Sequence, residues 1–133
     1  MRENGGVAKQ ATVAVSPGAA PRIVYYIRHG ETDWNIEGRL QGRHDVSLNA
    51  RGRGQASHCG KVLRDLFARD GLAAAAFDFI CSPLGRARET MELARSGLGL
   101  PPEEYRVDER LTEIAFGEWE GYTIAELRNC DPQ

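Results

Sequence analysis

The chain has 133 residues, a length that suits one domain with a single hydrophobic core. Its 17 Lys and Arg residues are nearly balanced by 19 Asp and Glu residues, for a formal net charge of -2. This balance excludes the basic excess that is typical of a nucleic-acid-binding surface. No apolar run approaches the length that crosses a bilayer, so we expect neither a nucleic acid nor a membrane as a partner.

The first 21 residues are predicted to form a flexible tail ahead of one domain that comprises residues 22–133. This segment contains only a short apolar patch and no hydrophobic region before a cleavage site, unlike a signal peptide. The three cysteines are widely spaced, without metal or redox spacing: Cys59, Cys81 and Cys130. Reduced thiols are therefore favoured, and we expect a cytoplasmic protein.

An apolar run, IVYYI, occupies residues 23–27 and ends directly at Arg28, His29 and Gly30. The absence of polar alternation predicts a strand that is covered on both faces, as in a parallel sheet. The next residues, up to Leu48, are polar and turn-rich. A connection of that length in a compact domain is usually functional.

Helical and extended patterns then alternate along the chain. Asn49 is the predicted N-cap of a helix that runs to about residue 69, with an apolar face formed by Ala56, Cys59, Leu63, Leu66 and Phe67. Residues 77–81, FDFIC, predict a second strand. Ser82 is the predicted cap of the next helix, whose apolar face comprises Leu84, Ala87, Met91 and Ala94.

The last third of the chain repeats this alternation. Residues 105–108 predict a third strand, and an aromatic loop, LTEIAFGEWEG, follows. A final helix is predicted to begin at Thr123, with Glu126 completing a capping box. Alternating strands and helices indicate an α/β fold with a mainly parallel sheet.

Polar side chains follow the end of each predicted strand. Arg28, His29 and Gly30 come after the first strand, residues 82–86 after the second, and Glu113 after the third. Ligands of open α/β sheets bind beyond the carboxyl ends of the strands, so these groups should converge on one crevice. Thr32 and Asn35 would add hydroxyl and amide donors there.

The predicted crevice suits phosphoryl transfer. The guanidinium groups of Arg28 and Arg86 match the oxygens of a phosphate, and a neutral His29 between them could attack phosphorus. Glu113 could protonate the leaving oxygen and later activate water. Because the arginines can neutralise the developing charge, this chemistry calls for no metal and no other cofactor.

Four blocks resemble the histidine phosphatase superfamily, the phosphoglycerate mutase-like proteins. They are RHGET followed by Asn35, then GRLQGRHDVSLNARGRGQA, SPLGRARET and LTEIAFGEWEG, in the family's order. The resemblance covers residue 23 to the end. It implies a three-layer α/β fold, with helices on both faces of a mainly parallel sheet.

The resemblance also implies a role for individual residues. His29 is the nucleophile that becomes phosphorylated, and Glu113 is the proton donor. Phosphate or substrate contacts are implied for Arg28, Arg86, Asn35, Thr32, Gln41 and Gly42. The substrate would be a phosphorylated small molecule.

The family's second catalytic histidine, usually in a Ser-His-Gly motif on a later strand, has no counterpart here. The other two histidines, His44 and His58, lie in different blocks. The resemblance therefore implies the N-terminal portion of a single domain, without its C-terminal strand or strands. We expect this chain by itself to be weak or inactive.

Three functions remain open from the sequence. The first is phosphomonoester hydrolysis through a phosphohistidine, the second is phosphoglycerate mutase-type transfer, and the third is non-catalytic phosphate binding.

Simpler alternatives also exist for two residues. Arg86 could be a solvated helix residue, and Glu113 could form a surface ion pair with Arg110. Neither the natural substrate nor the oligomeric state follows from the sequence.

Overall fold

A computed structural model describes residues 23–130. The predicted N-terminal tail lies outside these residues. The elements, in chain order, are helices α1 (Asp33–Glu37) and α2 (Ala50–Asp70), strand β1 (Ile80–Cys81), helix α3 (Gly85–Gly97), strand β2 (Arg106–Val107) and helix α4 (Ile124–Cys130). Short 3₁₀ helices lie at Ala74–Ala76, Glu109–Leu111 and Gly117–Trp119.

Helix α2 confirms the longest helix predicted from the sequence. The Asn49 side chain accepts the Gly52 N–H at 2.8 Å, which caps the first turn. Gly71, with φ of 66°, ends the helix in a left-handed conformation. The buried face comprises Gly52, Ala56, Gly60, Leu63 and Phe67, and Cys59 and Leu66 are only partly buried.

Helix α3 packs closely against α2, but two predictions for it are wrong. It begins at Gly85, and Ser82 does not cap it. Instead, Asp45, in the loop between α1 and α2, accepts the Gly85 N–H at 2.9 Å. Of its predicted apolar face, Ala94 is buried as predicted, but Leu84, Ala87 and Met91 are only partly buried. The buried residues are Arg86, Thr90, Ala94 and Arg95. Polar residues can occupy this face because they bond to backbone groups around them, which the hydrophobic pattern does not reveal.

The sheet confirms the α/β class but is shorter than the sequence predicts. Strands β1 and β2 are parallel, with Ile80 paired to Arg106 and Cys81 paired to Val107. Residues 23–27 make no strand ladder within the described residues, so the prediction of a first strand is wrong there. The prediction that this segment is covered on both faces is also wrong, because Tyr26 is 72% exposed. The three-layer arrangement stays a prediction.

The core lies between residues 23–27 and α2. Leu63, Phe67 and Leu98 are buried at its centre. Tyr25 packs edge-on against Phe67 at 5.1 Å between ring centroids, and Phe77 stacks on Phe67 at 4.6 Å. These aromatic contacts fix the segment that leads directly into His29.

Residues 121–122 are hydrogen-bonded to the loop that follows α1. The Leu40 N–H donates to Tyr122 O at 3.0 Å, and the Gly121 N–H donates to Leu40 O at 2.8 Å. Thr123 and Glu126 form the predicted capping box of α4, with bonds of 2.8 and 3.1 Å. Within residues 23–130, no helix combines the length and apolar character that crossing a bilayer requires.

Candidate active site

The end of the first predicted strand is joined to helix α3 by Thr90, a residue not selected from the sequence. The Gly30 N–H donates to Thr90 Oγ1 at 3.0 Å, and Thr90 Oγ1 donates to Arg86 O at 2.7 Å. Thr90 is buried. It therefore links the backbone next to His29 with the helix turn that carries Arg86.

His29 is held in a defined tautomer. Its Nδ1 lies 2.7 Å from Gly30 O, and because a carbonyl can only accept, Nδ1 carries the proton. The other ring nitrogen, Nε2, then has a free lone pair. Burial lowers the pKa of His29 below 6.5, against the Gly30 hydrogen bond, and the charges of Arg86 and Arg28 lower it further. A neutral, nucleophilic ring is therefore favoured at neutral pH.

Arg86 is a buried cation, 2% exposed, so the alternative of a solvated helix residue is wrong. Its Nη1 donates to His44 O at 2.7 Å and its Nη2 donates to Gly42 O at 2.8 Å. Its Nε is buried and has no partner within the described residues. Burial lowers the pKa of Arg86, although the charges of Asp45, Glu113 and Glu120 oppose that effect. A buried guanidinium whose Nε has no partner suits an anion ligand.

Arg28 and Glu113 complete the charged groups near His29. Both side chains are exposed, and the charge of Glu113 raises the pKa of His29 whereas that of Arg28 lowers it. All of these groups are therefore within electrostatic reach of one ring. The alternative of an ion pair between Glu113 and Arg110 is wrong, because Arg110 pairs with Asp108 at 2.6 Å.

The remaining predicted residues form a network beside α1. Thr32 is 0% exposed, and its Oγ1 lies 2.6 Å from Gln41 Oε1 and 3.0 Å from Asn35 Oδ1. Thr32 and Asn35 also form the capping box of α1. Gly42 has φ of 51°, and its carbonyl accepts from Arg86. These contacts orient the loop, and direct phosphate contacts by these four residues stay predictions.

Two acidic residues that the sequence did not single out hold this loop in place. Asp45 caps α3, and the Glu120 carboxylate accepts the Arg43 N–H at 3.0 Å and the Phe116 N–H at 3.1 Å. These N–H bonds lower the pKa of Glu120. The position of Glu120 in the FGEWEG block was the available signal, but exposed loop carboxylates are common.

The other two histidines have different surroundings. His44 is exposed and stacks on Trp34 at 4.7 Å between ring centroids, while its backbone carbonyl binds Arg86. His58 is exposed on α2. Neither contributes to the pKa of His29. Within residues 23–130, no group of three or more His, Cys, Asp or Glu side chains could hold a metal ion.

A surface groove of about 440 Å³ lies away from these residues. It is lined in part by Phe77, Phe79, Arg95, Tyr105 and Arg106, and none of the predicted site residues borders it. The groove therefore does not coincide with the candidate active site. The chemistry of the charged cluster, rather than cavity size, defines that site.

Residues 24–133 match the family model of the histidine phosphatase superfamily (branch 1). The chain belongs to this superfamily. Among curated relatives, it is 37% identical over 103 residues to the uncharacterized phosphatase PhoE of Bacillus subtilis, covering 77% of this chain and 48% of PhoE. It is also 36% identical over 104 residues to the probable phosphoglycerate mutase GpmB of Salmonella paratyphi C, covering 78% of this chain and 43% of GpmB.

Solved structures show the same relationship. A mycobacterial glucosyl-3-phosphoglycerate phosphatase, solved in complex with VO3, matches with a TM-score of 0.64 and 34% identity over 78% of this chain and 46% of that chain. YhfR of Bacillus stearothermophilus matches with a TM-score of 0.61 and 42% identity over 79% and 46% of the two chains. The chain thus spans about half the length of the relatives it matches.

Proposed function

We propose that this chain supplies the N-terminal half of a phosphohistidine pocket that hydrolyses phosphomonoesters. The observation that carries the proposal is that His29, whose Nε2 is free, lies within electrostatic reach of Arg86, a buried cation whose Nε has no partner within the described residues. The matches to phosphatases and phosphoglycerate mutases support the reaction class. The whole domain would be a three-layer α/β fold comprising residues 22–133 and further strands, and would work in the cytoplasm.

In the first step, His29 Nε2 attacks the phosphorus of the substrate. An N–P bond forms as the bond from phosphorus to the leaving oxygen breaks, and Glu113 gives its proton to that oxygen. Arg86 and Arg28 stabilise the charge on the phosphoryl oxygens. Asn35, Thr32, Gln41 and Gly42 would hold the phosphate or the substrate in position.

In the second step, water attacks the phosphorylated histidine. Glu113 takes a proton from the water, the new P–O bond forms, and the N–P bond returns its electron pair to Nε2. Inorganic phosphate leaves, and Glu113 is again protonated.

The test is trapping of the phosphohistidine on this chain. After incubation with an aryl phosphate and an alkaline quench, intact mass spectrometry should show one added phosphoryl group. His29→Ala should abolish it, whereas His58→Ala, the replacement of an exposed histidine on α2, should retain it. Phosphorylation that survives in the His29→Ala variant would contradict the proposal.

Mutase-type transfer is the second candidate, favoured by the 36% identity to the probable phosphoglycerate mutase GpmB. A mutase returns the phosphoryl group to the substrate, so phosphate should exchange between phosphoglycerate positions. Release of inorganic phosphate without such exchange supports the phosphatase.

Non-catalytic phosphate binding is the third candidate, because neither His44 nor His58 acts electrostatically on His29. Loss of a single preorganised donor costs on the order of a hundredfold in rate or more. We therefore expect this chain to turn over slowly, and inorganic phosphate binding without any phosphohistidine would favour the third candidate.

A further inference from the structure

We propose that Glu120 is a positioning residue that acts on Arg86 through the loop of residues 41–44. The proposal concerns the same pocket and rests on the proposed function only for its consequence on phosphate binding. Glu120 itself makes no bond to Arg86 or His29. The charge of Glu120 acts on Arg86 through space, whereas its positioning effect passes through backbone groups, one contact at a time.

The first contact is between the Glu120 carboxylate and two backbone donors. Oε1 accepts the Arg43 N–H at 3.0 Å and the Phe116 N–H at 3.1 Å. Arg43 follows directly after Gly42, and Phe116 belongs to the loop that carries Glu113. One carboxylate oxygen thus joins the two loops that face the candidate active site.

The second contact sets the geometry of Gly42. Its φ of 51° lies in the left-handed region, and a Cβ at this position would lie 2.2 Å from Glu120 Oε1. Only glycine permits the carboxylate to approach so closely while the backbone turns this way. Glu120 therefore packs against the turn that it also hydrogen-bonds.

The third contact passes this geometry to Arg86. The residues on either side of Arg43 are Gly42 and His44. Their carbonyls accept hydrogen bonds from Nη2 and Nη1 of Arg86 at 2.8 and 2.7 Å, respectively. Two acceptors two residues apart fix the plane of the guanidinium and leave Nε unpaired. If the turn relaxes, the plane rotates and Nε loses its defined direction.

The matched variants are Glu120→Ala, which removes the acceptor, and Glu120→Gln, which keeps an oxygen that can accept both N–H groups. Glu118→Ala is the control, because Glu118 is an exposed acid of the same loop with no hydrogen bond or ion pair within the described residues. NMR hydrogen exchange of the Arg86 Nε–H measures the positioning directly. Calorimetric titration with inorganic phosphate measures its consequence, and urea unfolding shows whether each variant is folded.

In Glu120→Ala, exchange of the Arg86 Nε–H should accelerate about tenfold or more, because this donor is no longer held in one buried position. Phosphate affinity should fall by a similar factor. Glu120→Gln should keep the Arg86 Nε–H exchange rate of the original protein, because it loses the charge but not the acceptor, and Glu118→Ala should keep it as well. A folded Glu120→Ala variant with unchanged Nε–H exchange would overturn the proposal, as would a Glu120→Gln variant that behaves like Glu120→Ala.

The two readouts separate this proposal from the proposed function. If the original chain does not bind phosphate, the proposed pocket fails. The exchange rates of the Arg86 Nε–H then still decide the role of Glu120, because they require no ligand.

Discussion

Gly30 and Thr90 are joined by a hydrogen bond of 3.0 Å between the glycine N–H and the threonine hydroxyl, across 60 residues of sequence. The same hydroxyl donates to the carbonyl of Arg86. A single buried side chain therefore holds the segment of His29 against the helix that carries Arg86.

Thr90→Val should destabilise the chain and displace His29. The valine keeps the shape but leaves the Gly30 N–H buried without an acceptor, which costs about 1–3 kcal/mol. Urea unfolding measures the cost, and Thr90→Ser, which keeps the hydroxyl, should recover most of it. Equal stability of the valine and serine variants would show that the hydrogen bond contributes nothing.

His29 should titrate below its ordinary value of 6.5 because burial disfavours the imidazolium. As the pH falls, His29 of the unfolded chain is protonated at a higher pH than His29 of the folded chain. The stability associated with neutral His29 is therefore complete above pH 6.5 and declines as the pH falls from there through the folded-state pKa. An NMR titration of the ring gives the pKa. The pH dependence of unfolding between about pH 7.5 and 5.5 should be weaker in His29→Ala.

Replacement of Arg86 or of Arg28 by alanine should lower the free energy of unfolding by different amounts. Arg86→Ala leaves the buried carbonyl of Gly42 and the partly buried carbonyl of His44 without donors, so it should cost about 1–3 kcal/mol of stability as well as phosphate affinity. Arg28→Ala removes an exposed side chain and should change stability by less than about 0.5 kcal/mol while still weakening phosphate binding. Calorimetry and urea unfolding on both variants separate binding from folding. Unchanged phosphate affinity in either variant would remove that arginine from the pocket.

Two glycines of α2 should respond in opposite directions to replacement by alanine. At Gly60, the added Cβ would lie 2.2 Å from Ala94 O of α3, so the helices must separate, at a cost of about 2 kcal/mol or more. At Gly54, the space is open, and alanine should stabilise the helix by roughly 0.5–1 kcal/mol. Denaturation midpoints measure both changes. A stabilising Gly60→Ala would refute the close packing of α2 on α3.

Much of the fold and the family followed from local features. Asn49 and Gly71 mark the two ends of α2 because capping depends on a few neighbouring residues. Thr123 and Glu126 form their capping box for the same reason. The charged residues that follow the apolar segments predict a phosphate-handling set, since the chemistry of phosphate limits which side chains can serve.

Other features depended on contacts between distant residues. Residues 23–27 have strand-forming side chains, yet a strand exists only where another segment completes its ladder. The buried face of α3 is polar because Gly30, Gly42 and His44 supply partners for Thr90 and Arg86. The sequence by itself determined which residues could handle a phosphate. Only the tertiary structure decided that Arg86 is buried, that Thr90 joins it to the segment of His29, and that Glu120 holds the loop between them, because each depends on hydrogen bonds across long sequence separations.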